Sequence, residues 1–143
     1  MEIQQVIILR KDKVFGKTAL NLKGLCNLTS KASIQGFLHL FGKFQYKTLR
    51  GGLFDPGQTY YKYEAEFGEK SLVKQFLDKP DIAYYCVPQD DDLYDLQDKL
   101  LKAKIPCTMI TEQVGKTTRC VCLATAPYAI EKITPYVEKL QKM

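Results

Sequence analysis

A single histidine, His39, is all that this 143-residue chain offers to chemistry that needs an imidazole. It lies among Phe37, Leu38, Leu40 and Phe41, which reads as a partly buried helix position, and the spacing gives no support to a dyad with Cys26. No Cys-x-x-Cys pair occurs among the five cysteines, Cys26, Cys86, Cys107, Cys120 and Cys122. All five fall in apolar periodic segments, so they read as buried free thiols of a reducing compartment. Cys120-Val121-Cys122 sets two sulfurs at period two on one strand face, but no second ligand pair accompanies them for zinc. Asp90-Asp91-Asp92 lacks the alternating ligands and turn glycine of a calcium loop and reads as a helix cap. No metal and no cofactor is therefore expected. The chain also lacks any run of about 18 apolar residues and begins with Glu2, Gln4 and Gln5 ahead of a strand, so neither a membrane span nor a signal segment is expected and the location is read as cytoplasmic.

Gly-Lys-Thr occurs twice, as Gly16-Lys17-Thr18 and Gly115-Lys116-Thr117. A phosphate-binding P-loop needs a further glycine upstream to open the turn that aims backbone N–H groups at phosphates, and those positions hold Lys11 and Ile110. The motif fails at both places. What remains is two lysines at strand ends. The net charge of +5 is unevenly spread: residues 1–50 carry nine Lys/Arg against Glu2 and Asp12, whereas residues 51–143 carry twelve against fourteen acids. A concentrated positive region favours phosphate-rich partners through counterion release, although the same lysines would also suit a solvated surface.

The periodicities specify an α/β chain. Ile3 to Leu9 form a near-continuous apolar run, as for a central strand. Ala19, Leu22, Leu25, Cys26 and Thr29 mark an amphipathic helix, and a second helical stretch is expected from about Ser33 to Phe44 after a short polar break. Residues 46–67 change character: Gly51-Gly52 and Asp55-Pro56-Gly57 are turn chemistry, and Thr59, Tyr60, Tyr61 and Tyr63 favour extended chain, so a hairpin-like insertion is expected. A short helix at 69–78, a strand at Ile82–Val87 and a strong helix from Asp90 follow. Strands at Cys107–Ile110 and Arg119–Thr125 come next, joined by Thr111 to Thr118. Pro127 is expected to open the last helix and Pro135 to break it. The result is one domain over 1–143, a mixed sheet of about four strands flanked by helices. Tyrosines interleaved with lysines could stack nucleobases, and core packing would explain them equally well.

Arg10-Lys11-Asp12, Gly16-Lys17 and the helix from Ala19 resemble the opening of the peptidyl-tRNA hydrolase type 2 superfamily. Ile105-Pro106, Gly115-Lys116-Thr117, Ala126-Pro127 and Ile130-Glu131-Lys132-Ile133-Thr134 are similar to its C-terminal half in order and spacing. The resemblance covers about residues 3–30 and 81–140. Arg10-Lys11-Asp12, Ala19-Leu20-Asn21 and Gly52 to Tyr61 look closer to a branch of that superfamily without an established activity.

The resemblance implies the peptidyl-tRNA hydrolase type 2-like fold, a homodimer, and cleavage or binding of an ester-linked tRNA or related phosphate-containing ligand. Lys17 and Thr117 match the family's catalytic lysine and threonine. The family's histidine falls near Cys26 and its aspartate near Gln113, which leaves Glu112 as the candidate base. Arg10, Asp12, Lys116 and Tyr61 are the expected ligand contacts. The alternative is a catalytically inactive member of the fold that binds a small molecule or protein through its tyrosine-bearing insertion.

Overall fold

The computed structural model describes residues 2–48 and 57–143. Its spine is strand β1 (Ile3–Arg10), in which Val6, Ile7, Ile8 and Leu9 are wholly buried. An unbroken apolar run is what a strand covered on both faces requires, and alternation of side chains divides it between two core layers. Val6 and Ile8 pack with Leu93, Leu96 and Leu100 of helix α3 (Asp90–Lys102) and with Ile133 and Val137 of helix α4 (Ile130–Val137). Ile7 and Leu9 pack on the other side with Leu25, Leu28 and Ala32 of helix α1 (Leu22–Leu38).

Strands β4 (Ile82–Val87), β5 (Cys107–Val114), β6 (Thr117–Thr125), β7 (Tyr128–Ala129) and β8 (Gln141–Lys142) complete a sheet in the order β5-β6-β1-β4-β8, with β7 pairing to the start of β1. β4 runs parallel to β1, from Gln5 opposite Ile82 to Arg10 opposite Val87, and β6 is antiparallel to it, with Ile7 opposite Ala124 and Leu9 opposite Cys122. This is a small mixed α/β domain with helices on both sheet faces. The four long strands stand where the hydrophobic runs put them, but the sheet has six strands rather than about four. The two additions are each two residues long, too short to carry a periodic signal.

Helix α1 departs from expectation. No break separates 19–29 from 33–44: Asn21 caps the start, accepting from the Gly24 N–H at 2.8 Å, and one helix runs to Leu38. The polar stretch at Ser30–Ser33 continues it because Ala32 and Gly36 bury against the sheet, a tertiary term that outweighs local polarity. Gly42 to Phe44 are then strand, not helix. They begin β2 (Gly42–Thr48), which pairs antiparallel with β3 (Gln58–Glu64) as a separate two-stranded sheet. The insertion is thus a hairpin that starts at Gly42, and its Gly51-Gly52 and Asp55-Pro56 turn residues lie outside the described residues. Helix α2 (Leu72–Asp78), capped by Ser71, follows.

At the C-terminal end, β7 intervenes between Pro127 and α4, so Pro127 does not open that helix. Pro135 neither breaks nor restarts it. It sits inside α4, where its missing N–H forfeits one bond to the Glu131 carbonyl, while Ile133 and Val137 anchor the helix in the core.

The approach of α1 to the sheet is set by a buried polar knot. Gln5 Nε2 donates to the carbonyls of Ser33 at 3.0 Å and Thr125 at 2.9 Å, Ser33 Oγ donates to Gln5 Oε1 at 2.6 Å, and the Val6 N–H donates to Thr125 Oγ1 at 3.0 Å. A buried glutamine is tolerated only when its amide is satisfied, and here both ends are. The helix comes close enough because Gly36 faces the knot: a Cβ there would lie 2.6 Å from the Thr125 carbonyl oxygen and 2.9 Å from Gln5 Nε2. Gly36→Ala is therefore expected to lower stability by about 1–3 kcal/mol despite alanine's better helix propensity, since overpacking exceeds that gain. Urea unfolding would show a lower midpoint at unchanged slope, and an unchanged or raised midpoint would show that α1 does not sit this close.

Candidate functional site

The parallel pair β1 and β4 ends at Arg10 and Val87, and the carboxyl end of parallel strands is where open α/β sheets place ligands. There the chain sets an arginine at the end of a buried strand. The Arg10 side chain is only 10% exposed, and it is neutralised bidentately by Asp12: Nε donates to Oδ1 at 2.6 Å and Nη2 to Oδ2 at 3.0 Å. Nη1 also donates to the Cys120 carbonyl at 3.3 Å, and Nη2 to Glu112 Oε1 at 3.3 Å. Lys13 Nζ closes the cluster by donating to Glu112 Oε2 at 2.9 Å.

A β-bulge makes this possible. Ile110 pairs with Cys122 but Thr111 with Cys120, so Val121 is the extra residue of β6. Pairing of β1 with β6 stops at Leu9, and the Arg10 side chain takes up the Cys120 carbonyl beyond it. The bulge also corrects the expectation that Cys120 and Cys122 share a face. Cys120 joins the core layer under α3, and Cys122 the layer under α1. Among the described residues, no cluster of three or more His, Cys, Asp or Glu could hold a metal ion.

Around this strut stand two exposed segments. After β1 a turn of 3-10 helix (Lys11–Lys13) leads into a loop that folds back on itself: Leu20 N–H donates to the Lys13 carbonyl at 2.9 Å, Thr18 Oγ1 donates to the Asp12 carbonyl at 3.2 Å, and Gly16 takes φ +95°. Lys17 lies in that loop, exposed to solvent. On the other side, Thr111–Thr118 is not a connecting loop. β5 runs to Val114, β6 starts at Thr117, and Gly115-Lys116 forms the two-residue turn between them. Gly115 has φ +62°, the left-handed conformation that tight hairpin turns require at their first central position. The second Gly-Lys-Thr is thus a hairpin turn, and Lys116 and Thr117 are exposed at its tip.

The Lys13–Glu112 pair ties the Lys17 loop to the arm of the hairpin that carries Lys116 and Thr117. Among the described residues, no hydrogen bond or ion pair occupies the side chains of Lys17, Lys116 or Thr117. Arg10 and Asp12 instead satisfy each other, and Glu112 has a cation on each oxygen. Tyr61 is not part of this cluster; it lies on β3 of the separate hairpin, 58% exposed with Lys43 Nζ 5.6 Å from its ring centroid. Lys13 was not singled out in the sequence, and only its alternation with Lys11 around Asp12 could have drawn attention to it. The N-terminus of α3 does not add an anion site, because Asp90, Asp91 and Asp92 fill its first turn. Asp92 Oδ2 accepts from the Gln89 N–H at 3.0 Å, so the acids lie inside the helix and Gln89, not an aspartate, is the capping residue.

The cysteines divide in two. Burial pushes the Cys122 thiol up to about 12, with Cys120 adding to the shift, and burial pushes Cys107 up to about 11; it raises Cys86 and Cys120 as well. These four are poor nucleophiles. Cys26 is exposed on α1, contrary to the expectation that all five are buried, and His39 is also exposed rather than partly buried, capping the C-terminus of α1. No protein-family model matches the chain, and no curated protein matches it.

Thiol labelling checks this division: of the five cysteines, Cys26 alone should react in the native protein and all five after denaturation, whereas a second fast-reacting thiol would contradict the core assignment. The ion cluster gives a pH signature. Hydrogen bonding to Arg10 lowers the Asp12 pKa, so its contribution is complete above the unfolded value of about 3.9 and is lost as pH falls below that through the folded value. Unfolding free energy measured against pH should fall less steeply below about pH 4 in Asp12→Asn than in the wild type, by a small amount because Asp12 is 44% exposed. Arg10→Ala should cost more than the ~1 kcal/mol of an exposed pair and less than the ~3–5 kcal/mol of a fully buried one.

Proposed function

We propose that this protein binds a phosphate-rich ligand, tRNA by its resemblance to the peptidyl-tRNA hydrolase type 2 superfamily, through the basic rim at the end of β1. The observation that carries the reading is the cluster of Arg10, Asp12, Lys13 and Glu112, which fixes the Lys17 loop against the hairpin of Lys116 and Thr117 and leaves those two lysines unpaired. Lys17 and Lys116 neutralise phosphates, Thr117 offers a hydroxyl beside them, and Arg10 and Asp12 hold the rim in place. Binding of this kind is driven by counterion release. A homodimer belongs to the same reading and rests on the resemblance alone.

Hydrolysis is the weaker part of the resemblance. The candidate base Glu112 is held in the strut by both oxygens, at 3.3 Å from Arg10 and 2.9 Å from Lys13, which directs its carboxylate at two cations rather than at a water that would attack an ester. The proposal is therefore of a binding protein whose catalytic set is degenerate.

Two measurements test it. The affinity for tRNA should fall steeply with salt, and Lys17→Ala or Lys116→Ala should each reduce the slope of log K against log salt by up to about 0.9. Salt-independent affinity, or slopes unchanged in both variants, would overturn the rim as the binding surface. With an N-blocked aminoacyl-tRNA, no turnover above the uncatalysed rate is expected, and turnover abolished by Lys17→Ala would replace the binding reading with the hydrolase one.

A further inference from the structure

Among the described residues, the β2–β3 hairpin pairs with no other strand, and its two faces carry different side chains. One face carries Phe44, Tyr46, Tyr60, Lys62 and Glu64. On it Tyr46 and Tyr60 stack on each other at 5.4 Å and 15°, the Tyr60 hydroxyl donates to Gln58 Oε1 at 3.0 Å, and Lys62 is paired with Glu64. Phe44 and Tyr46 are still 53% and 49% exposed on this face, so the contacts among its side chains do not bury it. The cleft at its base, about 660 Å³, is lined by Phe44, Glu64 and Glu66 and reaches Tyr63 at the hairpin's edge.

Strand alternation puts Lys43, Gln45, Tyr61 and Tyr63 on the opposite face, with Lys43 opposite Tyr63 and Gln45 opposite Tyr61. Tyr61 and Tyr63 are 58% and 39% exposed, and neither ring is stacked on another aromatic ring among the described residues. At the foot of this face an open cleft of about 460 Å³ is lined by Gln35, His39, Phe41, Lys43, Tyr63 and Thr108. It joins the end of α1, the hairpin and the edge strand β5. Among the described residues, no carboxylate lines it. Exposed aromatic rings, a cation beside them, uncharged hydrogen-bonding side chains and no acidic group form the combination that receives unpaired bases: rings stack the bases, the cation meets the phosphates, and amide and imidazole groups reach base edges.

We infer that this face, Tyr61 and Tyr63 with Lys43 and the His39 cleft, is a stacking site for a single-stranded stretch of nucleic acid. Two residues apart on one strand, the rings stand about 7 Å from one another, so a splayed single strand can set successive bases on them. Tyr63, at the mouth of the cleft, takes the base that enters it, with His39 and Gln35 at its edge. Lys43 approaches the Tyr61 ring and lies where the linking phosphate would pass. The partner class rests on the phosphate-binding reading above, but the residues are different, so the two can fail separately. Acidic or wholly apolar partners are disfavoured, the first because it offers Lys43 a charge but the tyrosines no base, the second because it would bury Lys43 unpaired.

A labelled oligoadenylate, followed by fluorescence anisotropy, is the probe. Tyr61→Leu and Tyr63→Leu should each weaken binding roughly tenfold, Tyr61→Phe and Tyr63→Phe should bind as the wild type, and Lys43→Gln should reduce the salt slope by up to about 0.7. Lys17→Ala should lower oligoadenylate affinity only through the rim, so the roughly tenfold loss from Tyr61→Leu should persist in the Lys17→Ala background, which separates this site from the rim. Because His39 is the chain's only histidine, its imidazole protons give an isolated NMR signal that should shift on titration of the wild-type protein with oligoadenylate, a readout that needs no variant to fold. No binding by the wild type, leucine variants equal to it, phenylalanine variants as weak as the leucine ones, or an unmoved His39 signal would each overturn the site.

Discussion

An arginine at the end of a buried strand must be neutralised, and the way Arg10 is neutralised organises this end of the molecule. Its guanidinium is held by Asp12 two residues on, by the Cys120 carbonyl released at the bulge in β6, and by Glu112 of β5. Each partner comes from a different element, so one side chain fixes the loop after β1, the end of the β1–β6 ladder and the far arm of the β5–β6 hairpin at once. Lys13 repeats the link to Glu112 from the loop side. A planar fork of donors suits this task in a way an ammonium would not, since it meets a carboxylate bidentately and still has N–H groups for the others.

The cost of that arrangement falls on chemistry. Glu112 is the carboxylate best placed for acid–base work near Thr117, and it is held between two cations; Arg10 and Asp12 are directed at each other. Structural neutralisation and acid–base chemistry draw on the same groups, and in this structure Arg10, Asp12 and Glu112 are engaged in ion pairs. The charges left over, Lys17 and Lys116, are on exposed turns. The β2–β3 hairpin differs: one of its faces carries a stacked tyrosine pair and an ion pair, while the other sets Tyr61 and Tyr63, with Lys43 near the Tyr61 ring, beside a cleft with no carboxylate among its described lining residues. A two-stranded hairpin has little stability of its own in water.

Hydrophobic periodicity alone located β1, β4, β5, β6 and α3, because these elements have long runs or strong alternation and one stable way to bury them. It misplaced the break in α1, since Ser30 to Ser33 look like a loop until Ala32 and Gly36 meet the sheet. It missed β7 and β8, which are strands only because β1 and β4 offer them edges. For the site, the sequence indicated Arg10, Asp12, Glu112, Lys17, Lys116 and Thr117, but it could not tell strut from rim. That distinction depends on contacts between residues about a hundred positions apart, such as Arg10 with Glu112 and Lys13 with Glu112.

Likewise the alternation of β3 put Tyr61 and Tyr63 on one face and Tyr60 on the other, while only the partner strand and the end of α1 decided which tyrosines stack on each other and which stand beside the His39 cleft. The bulge at Val121 is the clearest case. Period two assigns Cys120 and Cys122 to one layer, and one inserted residue moves them to opposite layers. The sequence by itself determined the class of fold, the identity of the central strand and the basic character of the first half, because burial and charge are properties of local composition. The tertiary structure alone decided which charges are neutralised and which aromatic rings are exposed, because those depend on registers and approaches that no local pattern encodes.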